Sequence, residues 1–273
     1  MTRLHLFQEG LPNYQQQQNN QEQTLNGEQE MDKGRLLAGG FTRDDFERYV
    51  DLRFGTGDPV YWYGWGGATT FPGEKMVARI EGCDMGRLYR PEPDKPEAQL
   101  LARKFTLSRD PETGEILTLP DGSPMWMKEF PYQYFKIWLE NGIIHFKTEQ
   151  GAGDNLTTMT SGHNSEIQRF EGMTIYTTPV QYQLPWRGNA STWETYNWIE
   201  RTVDGKVQYD CVWHGDFPTP PGAPPGRMSM NAYFHRYDSY DELPETLRSF
   251  IEEHAPLWKG PPESLEEIRE LQK

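Results

Sequence analysis

The sequence predicts an all-β, mainly antiparallel protein: a single β-barrel-like domain of about ten strands, with a short N-terminal helix and C-terminal helices. Aromatic residues make up 13% of the 273 residues, and glycine (26) and proline (21) are plentiful, as in chains built from many short strands. Segments with strand alternation are also separated by turn signals, of which Asn141-Gly142 is the strongest. We expect residues 1–38 to be a disordered Gln/Asn-rich arm, 39–262 the barrel-like domain and 263–273 a short terminal helix.

The stretch from Asp58 to Arg90 organises this prediction. Four large aromatic residues open it, a turn signal follows at Pro72-Gly73, and a second alternating run returns. Because side chains alternate along a strand, Arg79 and Glu81 share the face opposite Ile80. The glycine-rich residues 64–67 are interpreted as a bulge or tight turn.

The remaining elements follow from caps, alternation and turn residues. Thr42 begins a short helix whose Phe41, Phe46 and Tyr49 pack on the sheet. Residues 151–165, rich in Gly, Ser and Thr, form a loop. Ser239 or Asp241 caps a helix that ends near Pro256. Further strands are predicted over 101–108, 115–119, 133–140, 143–149, 165–170, 174–183, 192–202, 207–214 and 228–237, and a last helix over 264–272.

Composition excludes several classes of partner. The formal net charge of −14 argues against binding to nucleic acid or to an anionic membrane surface. Only Cys83 and Cys211 are present, so no disulfide framework is expected and a reducing compartment is compatible. Nothing near the N-terminus is typical of a signal peptide, and no apolar run approaches ~18 residues. We therefore expect a soluble cytoplasmic protein, for which a homodimer stays open.

Motifs for cofactors and metals are absent from the sequence. No H-x-H, H-E-x-x-H or C-x-x-C pattern marks a metal site, and no G-x-G-x-x-G, P-loop or G-x-S-x-G pattern is found. The sequence therefore predicts neither a metal nor a cofactor, which leaves acid–base chemistry as the accessible kind.

Bulky aromatic residues occupy both faces of several strands, although a simple barrel needs one apolar face only. This pattern indicates that some of them line a cavity for a small hydrophobic or aromatic ligand. Either Arg79 and Glu81 form an ordinary ion pair, or Glu81 lies in the cavity with a raised pKa suited to proton transfer. The predicted catalytic residues are Glu81, Arg79, His145, Asp210 and His214, and the predicted ligand-binding residues are Tyr61, Tyr63, Trp65 and Trp198.

Three pieces of the chain together resemble a family of uncharacterised bacterial and fungal proteins, known only as a domain of unknown function. They are the Trp/Gly strand 62–67, the turn at Pro72-Gly73-Glu74 that leads to Glu81-Gly82, and Trp213-His214-Gly215 followed by residues 241–244. The resemblance covers about residues 40–262. It implies a β-rich single domain and no particular catalytic residues.

Three functional hypotheses remain open from the sequence. The first is a cofactor-independent isomerase, cyclase, dehydratase or lyase that acts on a small, largely apolar, aromatic or polyene substrate in the barrel cavity. The second is a lipocalin-like binding protein with the same cavity and no catalysis. The third is a structural or assembly module. A buried acid–His pair facing the cavity favours the enzyme, and a cavity lined only by apolar groups and tyrosine favours the carrier.

Overall fold

The described residues contain twelve strands, which form a single antiparallel sheet. The structure is a computed structural model and describes residues 37–38, 40–128, 131–151, 157–161, 165–184, 190–219 and 225–272. All of these belong to one compact unit, Gly34–Lys273. The predicted disordered arm falls outside the described residues, except for Leu37 and Ala38, which form the first strand.

The strands are β1 (Leu37–Ala38), β2 (Val60–Phe71), β3 (Lys75–Tyr89), β4 (Glu97–Arg109), β5 (Gln133–Glu140), β6 (Ile143–Gln150), β7 (Thr157–Ser161), β8 (Glu166–Phe170), β9 (Met173–Leu184), β10 (Ala190–Val203), β11 (Lys206–Pro218) and β12 (Arg227–Tyr237). The helices are α1 (Arg43–Phe54), α2 (Glu245–His254) and α3 (Leu265–Leu271), and 3₁₀ turns cover Tyr240–Glu242 and Pro256–Lys259. The predicted fold class is confirmed. Of the helices in the described part of the chain, none is long and apolar enough to cross a membrane.

The sheet consists of two meanders joined by one long-range pairing. Its order is β1-β8-β9-β10-β11-β12-β2-β3-β4-β5-β6-β7, so the pairing of β12 with β2 connects the two ends of the chain. The sheet curls into a half-barrel. Two hairpins have the turns that the sequence predicts: Asn141 and Gly142 have φ of 52° and 72°, and Asp204 and Gly205 have φ of 50° and 74°, as type I′ turns require.

Helix α1 lies against the inner face of this half-barrel. Thr42 and Asp45 form a reciprocal capping box at its start, as the helix signal predicts. Burial raises the pKa of Asp45, but the Thr42 amide and the Arg169 guanidinium outweigh burial and lower it. The apolar residues of α1, among them Phe46 and Tyr49, are fully buried against side chains from β2, β4, β5, β6, β9 and β10. The inner face is therefore a packed core.

Helix α2 covers the outer face of β2, β3 and β4. Its Leu247, Phe250 and Ile251 pack on a second apolar cluster that includes Phe105 and Leu107 of β4. The central strands thus have both faces covered, as happens when helices lie on both sides of a sheet. This double coverage explains why aromatic residues occur on both strand faces.

Four local predictions differ from the structure. Residues 115–119 form single bridges instead of a strand, because the turn at 110–114 returns the chain past the end of β4. Part of the predicted loop 151–165 forms β7, which pairs with β6. Residues 64–67 lie inside β2, and the register shift falls between Ala68 and Thr69. Ser239 caps the 3₁₀ turn, whereas α2 begins after Pro244.

Candidate functional site

The strand register places most of the predicted site residues on the outer face of the sheet. Tyr63 of β2 lies opposite His235 of β12, which lies opposite Asp210 of β11. One row further along, Trp65 lies opposite Glu81 of β3. Side chains of directly opposed residues share a face, with Cβ atoms about 4.5–5.5 Å apart. A band of polar and aromatic groups therefore crosses β11, β12, β2 and β3.

Glu81 is the buried carboxylate of this band, with a side chain that is 1% exposed. Its Oε1 accepts a hydrogen bond from the Tyr63 hydroxyl at 2.9 Å. Its Oε2 lies 2.8 Å from Nε and 2.7 Å from Nη2 of Arg109. Arg79, by contrast, is exposed and donates to the Pro111 carbonyl at 3.1 Å. The ion-pair partner of Glu81 is therefore Arg109 of β4 and not Arg79.

Trp65 covers this buried group from the solvent side. Its indole Nε1 donates to the Tyr63 hydroxyl oxygen at 2.7 Å, and the Arg109 guanidinium lies 5.6 Å from its ring centre. The Trp65 side chain itself remains 44% exposed. Burial, followed by the negative charge of Glu81, raises the pKa of Tyr63. The Tyr63 hydroxyl thus stays protonated and acts as a hydrogen-bond donor.

A cleft of ≈ 540 Å³ opens beside this group, between the sheet and α2. Trp65, Ile116 and Phe250 form its apolar walls, and Glu81 with Arg109 lies at its base. His254, at the end of α2, also lines the cleft, with its ring centre 4.6 Å from that of Phe250. The cleft combines flat apolar surface with a carboxylate, a guanidinium and an imidazole.

Asp210 is the centre of a second polar group, which lies on β10, β11 and β12. Its carboxylate is 2% exposed. Oδ1 lies 2.8 Å from Nδ1 of His235, and Oδ2 lies 2.7 Å from Nε of Arg201. Burial, then the hydrogen bond and charge of Asp210, raise the pKa of Tyr233 to about 12. The histidine beside Asp210 is therefore His235, which was not among the predicted site residues.

The other predicted residues lie apart from both polar groups. His214 packs on Trp193, with ring centres 5.3 Å apart. His145 stacks on Trp138 of the β5–β6 hairpin at 5.3 Å. Tyr61 is buried under the C-terminal segment, where its hydroxyl donates to the Lys259 carbonyl at 3.2 Å.

Trp198 lies on the inner face, where aromatic rings fill the half-barrel. Its ring stacks on Tyr196 with centres 5.5 Å apart, and it meets the edge of Trp62 at 5.0 Å. The cavity that these rings line measures ≈ 10 Å³, which is room for about one water molecule. An organic ligand does not fit here, so Trp198 is a core residue.

Two buried charges also lie at this inner cavity. Burial raises the pKa of Asp84, and the nearby Lys104 ammonium opposes that shift. Burial lowers the pKa of Lys104, but the charges of Asp84 and Glu194 outweigh burial and raise it. The ammonium lies 5.0 Å from the Trp213 ring centre. Mutual attraction and the ring contact therefore favour the charged form of Lys104, whereas for Asp84 burial outweighs the attraction.

Three residues of these sites, His235, Arg109 and His254, were not predicted from the sequence, because strand pairing or helix packing brings them there. His235 lies in the last predicted strand, and the β11–β12 register alone places it against Asp210. Arg109 lies one residue beyond the predicted strand 101–108 and reaches Glu81 diagonally across the β3–β4 pair. His254 enters through the packing of α2. Strand alternation placed Glu81 and Asp210 on their faces, but it could not identify their partners, Arg109 and His235.

No family model matches the chain, and no curated protein matches it. The resemblance to the domain of unknown function thus stays a prediction. Within the described residues, no three His, Cys, Asp or Glu side chains are grouped so that they could hold a metal ion.

Proposed function

We propose that this protein binds a small, largely apolar, aromatic or polyene molecule in the outer cleft and acts on it by cofactor-independent acid–base chemistry of the isomerase, cyclase, dehydratase or lyase type. The observation that carries the proposal is the position of Glu81. It is a carboxylate withdrawn from water at the base of a ≈ 540 Å³ cleft, which also contains an imidazole from α2.

The walls of the cleft suit a flat apolar ligand. Its volume lies within the range of about 300–1,000 Å³ that small-molecule sites have. Trp65, Ile116 and Phe250 offer apolar contact, and the exposed face of Trp65 can stack on a ring or a conjugated chain. The ligand would displace water from the cleft and thereby strengthen the electrostatic interactions there.

Proton transfer in this cleft would involve two groups. Glu81 accepts a proton from an acidic C–H or O–H of the ligand, while Arg109 and Tyr63 continue to hold the carboxylate in place. The protonated form of His254, which lines the same cleft, gives a proton to a second atom of the ligand. Glu81 then passes its proton to water and His254 takes one up from water, so an isomerisation needs neither oxidant nor reductant.

A lipocalin-like binding function without catalysis is the second candidate. Both oxygens of Glu81 already have partners, Tyr63 at one and Arg109 at the other. In a carrier, these contacts join β3 to its neighbours and Glu81 takes no part in chemistry. In that case the cleft binds the same class of ligand and releases it unchanged.

The test begins with binding. Aromatic and conjugated carbonyl compounds are screened against the full chain by the NMR signal of the Trp65 indole N–H, and each compound that binds is assayed for turnover. Glu81→Gln keeps the shape of the side chain and removes its basicity, so we expect binding to remain and the rate to fall by about 10²–10⁴. Glu140→Gln, on the β5–β6 hairpin and 60% exposed, is the matched control. Unchanged turnover in Glu81→Gln contradicts the enzyme, and binding without turnover in the wild type establishes the carrier.

A further inference from the structure

The Asp210 group lies on a part of the outer face that α2 leaves open. Tyr233 and Val212, on the same face, are 48% and 39% exposed. Asp210 itself is almost fully buried, yet its His235 partner is 37% exposed. A buried carboxylate thus holds an imidazole whose other edge faces outward.

The hydrogen bond to Asp210 determines which edge of His235 is basic. A carboxylate oxygen only accepts, so Nδ1 of His235 carries the proton that spans the 2.8 Å to Oδ1. In the neutral imidazole with this tautomer, Nε2 carries the lone pair. Arg201 Nε lies 2.7 Å from Oδ2, so the second oxygen of Asp210 also has a partner. An Asp–His pair of this tautomer is the arrangement that general bases use.

Arg201, Tyr233 and Tyr237 lie around the Asp210–His235 pair. Arg201 Nη2 donates to the Tyr233 hydroxyl oxygen at 3.4 Å, and the Tyr233 hydroxyl itself donates to Asp210, so the Arg201 guanidinium, which is 41% exposed, is the donor next to the pair. The ring of Tyr237 lies edge-on to His235, with centres 5.2 Å apart. Donors can hold a carbonyl oxygen as negative charge develops on it, and tyrosine rings can contact an aromatic group.

We propose that Asp210 and His235 form a second site, separate from the Glu81 cleft, that hydrolyses small aryl esters. Nε2 of His235 takes a proton from a water molecule as the water oxygen bonds to the ester carbonyl carbon. The bond to the aryl oxygen then breaks, and the departing aryloxide takes the proton back from His235. Water and ester give a carboxylic acid and a phenol. Asp210 is the positioning residue, and the Arg201 guanidinium stabilises the anionic oxygen.

The probe for this site is 4-nitrophenyl acetate, with release of 4-nitrophenolate as the signal. We expect His235→Asn to lower the rate above the uncatalysed reaction by about 10²-fold. His214→Asn is the matched control, because His214 lies on the same face and packs on Trp193 away from the pair; it should keep the wild-type rate. Equal rates for the wild type and His235→Asn overturn the proposal, and so does an equal loss in both variants.

The role of Asp210 has a readout that does not depend on any substrate. ¹⁵N NMR of the side chain should show wild-type His235 with its proton on Nδ1, and Asp210→Asn should increase the fraction with the proton on Nε2. If Asp210→Asn does not fold, the wild-type spectrum alone decides the point. A proton on Nε2 in the wild type contradicts the proposed geometry.

Discussion

Replacing Glu81 with alanine tests how the buried carboxylate is held. The change leaves Arg109, whose side chain is only 17% exposed, without its charged partner, and it leaves Tyr63 without its acceptor. Removing one member of a buried ion pair costs about 3–5 kcal/mol, because the remaining charge is uncompensated. Arg109 keeps its hydrogen bond to the Gly114 carbonyl at 3.1 Å, so we expect the lower end, about 3 kcal/mol.

Urea denaturation followed by tryptophan fluorescence measures this loss. Arg79→Ala is the matched control, because Arg79 is exposed on the same strand, and its effect should stay within about 0.5 kcal/mol. The double variant Glu81→Ala/Arg109→Ala should be less destabilised than the sum of its single variants, because the pair is coupled by about 0.5–3 kcal/mol. A loss below about 1 kcal/mol in Glu81→Ala, or additive single variants, would refute the ion pair as a source of stability.

Four further predictions concern the fold. In Gly64→Ala the added carbon would lie 1.8 Å from the Tyr233 carbonyl oxygen. We therefore expect urea denaturation to show a loss in unfolding free energy above about 3 kcal/mol. Gly67→Ala is the control, because its added carbon meets the flexible end of Met76 at 3.2 Å, and this variant should fold normally. Thr42→Ala removes the cap of α1 and should lower the unfolding free energy by about 1 kcal/mol. Asp45→Asn should destabilise the protein at neutral pH. The difference in stability between Asp45→Asn and the wild type should shrink as pH falls through the lowered pKa of Asp45. The pKa of Tyr233 is raised from 10.0 to about 12, so the protein should lose stability as pH rises from 10 to 12, and Tyr233→Phe should flatten that loss.

The features of the fold that the sequence predicts correctly are those that a local sequence signal determines. A two-residue Asn-Gly or Asp-Gly turn requires positive φ at both positions, so the hairpins at 141–142 and 204–205 could be located to the residue. The cap at Thr42 and the alternation along β5, β10 and β11 are local in the same way. Residues 115–119 have a strand-like composition, but only isolated bridges pair them. Strand propensity depends on the presence of a neighbouring strand.

The candidate site depends on contacts that no local pattern encodes. Alternation places Asp210 and His214 on one face, but whether a histidine meets the carboxylate depends on the register of β12 against β11. The pairing of β12 with β2 brings His235 beside Tyr63 from the other end of the chain. The aromatic residues on both strand faces suggested an inner cavity. They follow instead from coverage by α1 on one side and α2 on the other.

The most direct test of the central claim measures proton transfer itself. A compound that binds beside Trp65 and has an acidic C–H is incubated with the protein in D₂O, and incorporation of deuterium is followed by NMR and mass spectrometry. We predict that the wild type incorporates deuterium at that carbon and that Glu81→Gln does so about 10²–10⁴ times more slowly with binding unchanged. Exchange at the same rate in both proteins, or no exchange in the wild type, would contradict an acid–base role for Glu81.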